Sequence, residues 1–163
     1  IQFRKPNLHE SVYDALDDAG LEADGLELEV TESLLMNDPA ETAAILGKLK
    51  ARGIHISIDD FGTGYSSLSY LKRFPINALK IDRSFITDVT SNPDDAAIAT
   101  AIILMGHSLK LSVVAEGVET ENQLAFLKVL QCNEVQGFLF SPPVPAERAQ
   151  EMLAEQQFAK AVA

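Results

Sequence analysis

Two rhythms of apolar and polar positions alternate along the chain. Leu8, Val12 and Leu16 recur at helical spacing, and Gly20 follows as a stop. Asp38 reads as a helix N-cap, with Pro39 at the first helical position and Glu41 three residues on. Ile45, Leu46 and Leu49 then form an apolar face, and Gly53 ends it. Thr120 and Gln123 form a capping box ahead of Leu124, Leu127 and Leu130. Further helices are predicted over residues 94–109 and 145–157, with a short one over 67–74 that Pro75 stops. Between them lie short apolar, partly β-branched runs at residues 26–30, 54–58, 78–81, 111–115 and 135–139. Such runs fit strands of a parallel sheet buried on both faces.

Strand–helix alternation implies βαβ units, hence a doubly wound sheet or a (β/α)8 barrel. The polar residues choose between them. Glu29, Asp59 with Asp60, Lys80 with Asp82, Glu116 with Glu119, and Gln136 sit at or just after the carboxyl ends of the predicted strands. In a barrel every strand opens its carboxyl end onto one face, and that face carries the active site. An open sheet gathers its ligands at one switch point instead. Five consecutive strands all contributing favours the TIM-type barrel. A full barrel takes ~250 residues, so this chain is expected to be an incomplete one, with about the first third of the domain lying before Ile1.

Composition narrows the partners. The 163 residues suit one domain, and 47% hydrophobic with 23% charged residues suits a globular one. Lys and Arg number 13 against 24 Asp and Glu, a net charge of −11. That balance argues against binding to nucleic acid or to an anionic membrane, both of which call for basic excess. A phosphate-bearing ligand would then need metal ions to neutralise its site. The single Cys132 excludes an internal disulfide and a cysteine-based zinc cage; it reads as a small buried hydrophobe. The longest apolar stretch, near residues 96–106, falls short of the ~18 residues of a membrane span. The start IQFRKP carries no initiator Met and no signal-peptide pattern. A cytoplasmic segment of a longer protein, tethered to a membrane if at all through other regions, is the expectation.

The candidate chemistry is a ring of carboxylates with one lysine and one glutamine. Asp59 and Asp60 close a strand, where successive side chains point to opposite faces. Both reach one site only if the chain turns, and the run Phe61, Gly62, Thr63, Gly64 is expected to supply the turn. With Glu29 and Glu116, four carboxylates would converge. They would repel one another unless a divalent cation intervened, and all-oxygen ligands suit Mg²⁺, Mn²⁺ or Ca²⁺ rather than zinc. Two such ions ~3.5–4 Å apart are a device for phosphodiester hydrolysis. Lys80 could orient a water or contact a phosphate oxygen. Blander roles compete: Glu32 and Glu119 suit helix N-caps, and Asp59 through Gly62 could be a turn alone. The Gly62–Gly64 stretch is only weakly like a phosphate cradle, lacking the P-loop lysine, and reads better as a flexible loop over residues 61–67. His55 and His107 read as packed or solvated.

The segments LEVTES, IDDFGTGYSSLSYLKRFPINALKIDRSF, VVAEGVET and VQGFLFSPPVP resemble the EAL domain, the bacterial cyclic-di-GMP phosphodiesterase family. The resemblance implies a modified barrel whose first strand runs antiparallel. It also implies hydrolysis of cyclic di-GMP to linear pGpG with two Mg²⁺ or Mn²⁺ ions. Carried over residue by residue, Glu29 matches a ligand of the first metal. Asp59 matches the carboxylate bridging both ions, and Asp60 and Glu116 match the surroundings of the second. Lys80 matches the residue that orients the attacking water, and Gln136 one that supports it. Glu32 matches the anchor of the loop after Asp60, which includes Gly62, Thr63 and Gly64; Asp82 and Glu119 fall on further motif positions. The family's Glu-Ala-Leu and Asn-x-Ser motifs, both bearing first-metal ligands, do not occur in this sequence. The 163-residue chain alone is therefore expected to be inactive. Asn133 stands where the family has Asp, which would weaken local hydrogen bonding. The resemblance further implies a homodimer, and sensory or GGDEF-type domains upstream. The alternative reading is a non-catalytic cyclic-di-GMP receptor on the same fold. A third, an enolase-like enzyme with Lys80 as base, is disfavoured by the GTGYSS loop.

Overall fold

A computed structural model describes residues 7–35, 38–64 and 71–154. It contains two compact units, one up to Ala78 and one from Leu79 onward. The short helix expected over residues 67–74 and the far half of the loop over 61–67 lie largely outside the described residues.

The first unit opens with α1 (Leu8–Ala19), closed by Gly20 in the left-handed region at φ 64°. A single 3₁₀ turn at Ala23–Gly25 leads into β1 (Glu27–Thr31). The four-residue α2 (Glu32–Leu35) follows, then α3 (Pro39–Ala51) and β2 (His55–Phe61). The Asp38 side chain caps α3 by accepting from the Glu41 N–H at 3.0 Å. β1 and β2 pair in parallel, with Glu29 level with Ser57 and Thr31 with Asp59. Ile56, Ile58, Ile54, Leu46, Leu49 and Leu35 are completely buried, each worth about 1.5–3 kcal/mol of hydrophobic stabilisation. The Tyr13 hydroxyl ties α1 to α3 by donating to the Lys48 carbonyl at 2.6 Å. β2 runs three residues past its apolar run, and its pairing with β1 continues to Asp59, which apolar periodicity does not register.

The second unit contains most of β3 (Ala78–Ile81), then α4 (Ser84–Thr87), α5 (Pro93–Ser108), β4 (Ser112–Glu116), α6 (Glu121–Val129), β5 (Glu134–Gln136) and α7 (Ala146–Ala154). The strands follow in chain order, and β4 and β5 are parallel, with Glu116 level with Gln136. Every residue of β3 is buried, as a strand covered on both faces must be. α5 buries Ala99, Ile102, Ile103 and Gly106, the i, i+3, i+4, i+7 stripe of a packed helix. At Gly106 a Cβ would lie 2.3 Å from Val113 Cγ2, so only glycine lets α5 approach β4 this closely. The capping box of α6 forms as its sequence predicts. Buried Gln123 also donates to the carbonyls of Ile86 and Thr87, at 3.1 and 3.0 Å.

β5 stops at Gln136, short of the expected 139. Its successor Gly137 lies against the backbone of Val118, where a Cβ would come within 2.1 Å of the carbonyl oxygen. Val118 then donates to Gln136 O and accepts from Leu139 N, both at 3.0 Å. These bonds take the place of further strand pairing. The hydrogen bonding expected to be weak at Asn133 is intact. Its Oδ1 accepts from the Val113 N–H at 2.9 Å and lies 3.2 Å from His107 Nε2. A side-chain amide oxygen accepts from a backbone N–H as a carboxylate would. Asn77 does the same in the first unit, accepting from the Ile56 N–H at 3.0 Å. No helix among the described residues is long and apolar enough to cross a membrane.

Candidate active site

In the first unit the expected residues occupy the carboxyl ends of two neighbouring parallel strands. Glu29 is exposed near the end of β1, and Asp59 is half-buried near the end of β2. The turn that reunites Asp59 and Asp60 is not in the glycine run but in Asp60 itself, which sits in the left-handed region at φ 53°. Asp is among the few non-glycine residues that tolerate this conformation. It breaks the strand's alternation, and the two carboxylates come to offer oxygens within 4.8 Å of each other.

The loop beyond them is gripped by Glu32, which is 2% exposed. One of its oxygens, Oε2, accepts from the N–H groups of Gly62 and Gly64 at 3.1 and 3.3 Å. Gly62 needs its left-handed φ of 102°, which glycine adopts without cost. Gly64 needs its missing side chain, since a Cβ there would lie 2.7 Å from Glu32 Oε1. Thr63 closes the turn by donating its hydroxyl to Asp60 O at 2.8 Å. Glu32 thus binds loop N–H groups thirty residues away rather than capping its own helix. Ser57, level with Glu29, is a further polar residue that the sequence reading did not single out; it is fully buried and its hydroxyl has no hydrogen-bond partner among the described residues. The available signal was a lone polar residue in an isoleucine-rich run.

In the second unit Lys80 and Glu116 form an ion pair at 2.6 Å, with side chains 8% and 19% exposed. The pair joins adjacent strands at their carboxyl ends and holds the ammonium in place. Gln136 ends β5, level with Glu116, with its side chain exposed. Asp82 lies just past β3, and its Oδ1 accepts from the N–H and hydroxyl of Ser84, so it shapes the turn into α4. Glu119 is exposed one residue before the cap of α6, and its N–H donates to Gln123 Oε1 at 2.8 Å. Cys132 is buried beneath β4 and β5, and burial pushes its thiol up to about 11; it is inert packing.

Comparison with known proteins follows the same residues. The sequence profile of the EAL domain matches residues 1–143. The cyclic di-GMP phosphodiesterase NbdA of Pseudomonas aeruginosa is 52% identical over 154 residues, which is 94% of this chain and 20% of that protein. The bifunctional diguanylate cyclase/cyclic di-GMP phosphodiesterase MucR of the same organism is 54% identical over 91% of this chain and 22% of its own length. The chain therefore spans about a fifth of these curated relatives. A solved structure of PaMucR phosphodiesterase in complex with c-di-GMP superposes with a TM-score of 0.88, covering 91% of this chain and 60% of that one. Klebsiella pneumoniae BlrP1, as a manganese/cy-diGMP complex, gives a TM-score of 0.79 at 34% identity, covering 87% of this chain and 36% of that one. The fold is accordingly the TIM-barrel type expected from the strand ends, with five of its strands among the described residues. A profile that spans nearly the whole sequence and a fold shared at 54% identity leave one assignment: the chain belongs to the EAL domain family.

Proposed function

We propose that this chain is part of a single catalytic EAL domain that hydrolyses cyclic di-GMP to linear pGpG with two divalent cations. The observation that carries the reading is the left-handed Asp60, which brings two carboxylates together at the end of a strand. A backbone strained in this way at a strand end is the kind of feature that functional sites retain. The donor set fits the ions: carboxylate oxygens alone, with no thiolate and no imidazole, suit Mg²⁺ or Mn²⁺. Glu29 and Asp59 would hold the first ion, and Asp59, Asp60 and Glu116 the second. When bound, the ions lower the pKa of a water and offset charge on the phosphate.

The chain's own residues do the rest. Lys80, positioned by Glu116 at 2.6 Å, orients the attacking water, and Gln136 supports it. The water oxygen bonds to one phosphorus, the bond from that phosphorus to the 3′ oxygen breaks, and the departing oxygen takes up a proton. Glu32 keeps the loop through Gly62, Thr63 and Gly64 beside Asp59 and Asp60, while Asp82 and Glu119 hold the turns after β3 and β4. Residues 1–163 alone would turn over slowly, because Glu29 and Asp59 alone would leave the first ion under-coordinated. A cytoplasmic homodimer, with sensory or cyclase domains in the same polypeptide, is the setting we propose, supported by relatives about five times as long.

The test is chromatography of cyclic di-GMP incubated with Mg²⁺ or Mn²⁺ and the full-length protein that carries this segment. Release of pGpG, abolished by chelator, is expected. Binding without cleavage would assign a receptor instead, and neither binding nor cleavage would refute the reading.

A further inference from the structure

We propose that Arg83 is a substrate-binding residue that pairs with the phosphate of the cyclic dinucleotide that is not being cleaved. The inference rests on the function proposed above and adds to it a contact outside the ring of carboxylates. Arg83 follows β3 by two residues and is exposed. Its stem is seated against Gly117, the residue directly after Glu116. A Cβ at position 117 would lie 2.6 Å from Arg83 Cβ and 3.4 Å from its Cα, so only glycine admits it. Gly117 also stands in the left-handed region at φ 73°. The backbone at the end of β4 is thus shaped around the base of this arginine, which roots its stem against the residue that follows Glu116.

Charge then indicates what it binds. The chain carries a net −11, and the substrate has two phosphodiesters, each with one negative charge. Lys80 is already neutralised by Glu116. Arg83 forms no ion pair among the described residues. An uncompensated guanidinium at the strand ends offers a planar fork that matches two phosphate oxygens. The scissile phosphate belongs to the metal ligands, which leaves the other one for Arg83.

The experiment compares the protein with Arg83→Ala and Arg83→Lys by calorimetric titration with cyclic di-GMP in Ca²⁺, the nucleotide being checked by chromatography for cleavage. Alanine retains the Cβ seated on Gly117, so the thermal midpoint should stay at the wild-type value. Loss of a charged hydrogen-bonding partner should raise Kd about 10- to 100-fold, and lysine should recover part of the loss. A Kd for Arg83→Ala within twofold of wild type overturns the proposal. So does a Kd for Arg83→Lys equal to that of wild type, because a point charge would then serve as well as the bidentate fork. If the unmutated protein neither binds nor cleaves cyclic di-GMP, the function proposed above fails, and with it the premise of this contact.

Discussion

Replacing Gly64 with alanine tests how the loop beside Asp59 and Asp60 is held. Gly64 is not in the left-handed region, so the substitution brings no backbone strain. Its whole effect comes from a new methyl placed 2.7 Å from Glu32 Oε1 and 2.9 Å from Glu32 Cδ. Glu32 is 2% exposed and rooted in a four-residue helix, so its carboxylate cannot swing into water and must retract. Retraction stretches the bonds from Gly62 and Gly64, now 3.1 and 3.3 Å. Hydrogen bonds to a charged group are worth about 1.5–3 kcal/mol each, and these are at the long end. Losing one costs about 1.5 kcal/mol and losing both about 3. For a domain of this size that lowers the thermal midpoint by roughly 3–12 °C. Chemical denaturation of wild type, Gly64→Ala, Glu32→Ala and the double variant closes the cycle. With the Glu32 side chain gone, the three atoms nearest the methyl go with it, and the second substitution should be nearly neutral. Additive losses would refute the reasoning, because they would mean that Gly64 is glycine for a reason other than Glu32.

Asp59→Asn should reduce pGpG release to background while metal-free stability stays within about 1 kcal/mol of wild type, since relief of repulsion from Asp60 offsets the lost charge; turnover and thermal midpoint measured together check it, and near-normal turnover would remove Asp59 from the metal-binding set. Gly137→Ala should destabilise by more than about 3 kcal/mol or prevent folding, as its methyl would drive into the Val118 backbone at 2.1–2.7 Å; circular dichroism and solubility report it. Cys132 releases its proton near 9.0 in the unfolded chain and near 11 when buried. Between these values the unfolded state holds fewer protons, so the thiol's own contribution to stability is constant below about pH 9 and falls above it, by up to about 3 kcal/mol near pH 11. Wild type should lose that increment relative to Cys132→Ala across the same pH series, and parallel curves would contradict the burial.

Local patterns alone determined much of this protein. The caps at Asp38 and Thr120, the stop at Gly20 and the five apolar runs were legible because each reports on neighbours within a turn or a pleat. The strand-end positions of Glu29, Asp59, Lys80, Glu116 and Gln136 followed from those runs, since a parallel strand has a direction. What periodicity did not contain was any contact formed across long stretches of chain; only the family resemblance marked Glu32 as the anchor of the loop after Asp60. That Glu32 would reach two N–H groups thirty residues away, and that Lys80 would meet Glu116, depends on which strands become neighbours. That Asp60, and not a glycine, would take the left-handed turn depends on Phe61 being buried while Gly62 and Gly64 serve Glu32. Position 137 is glycine because of Val118, and position 117 because of Arg83. In each case the deciding atom belongs to another element, and periodicity along one element carries no information about the side chain or backbone that another presses against it.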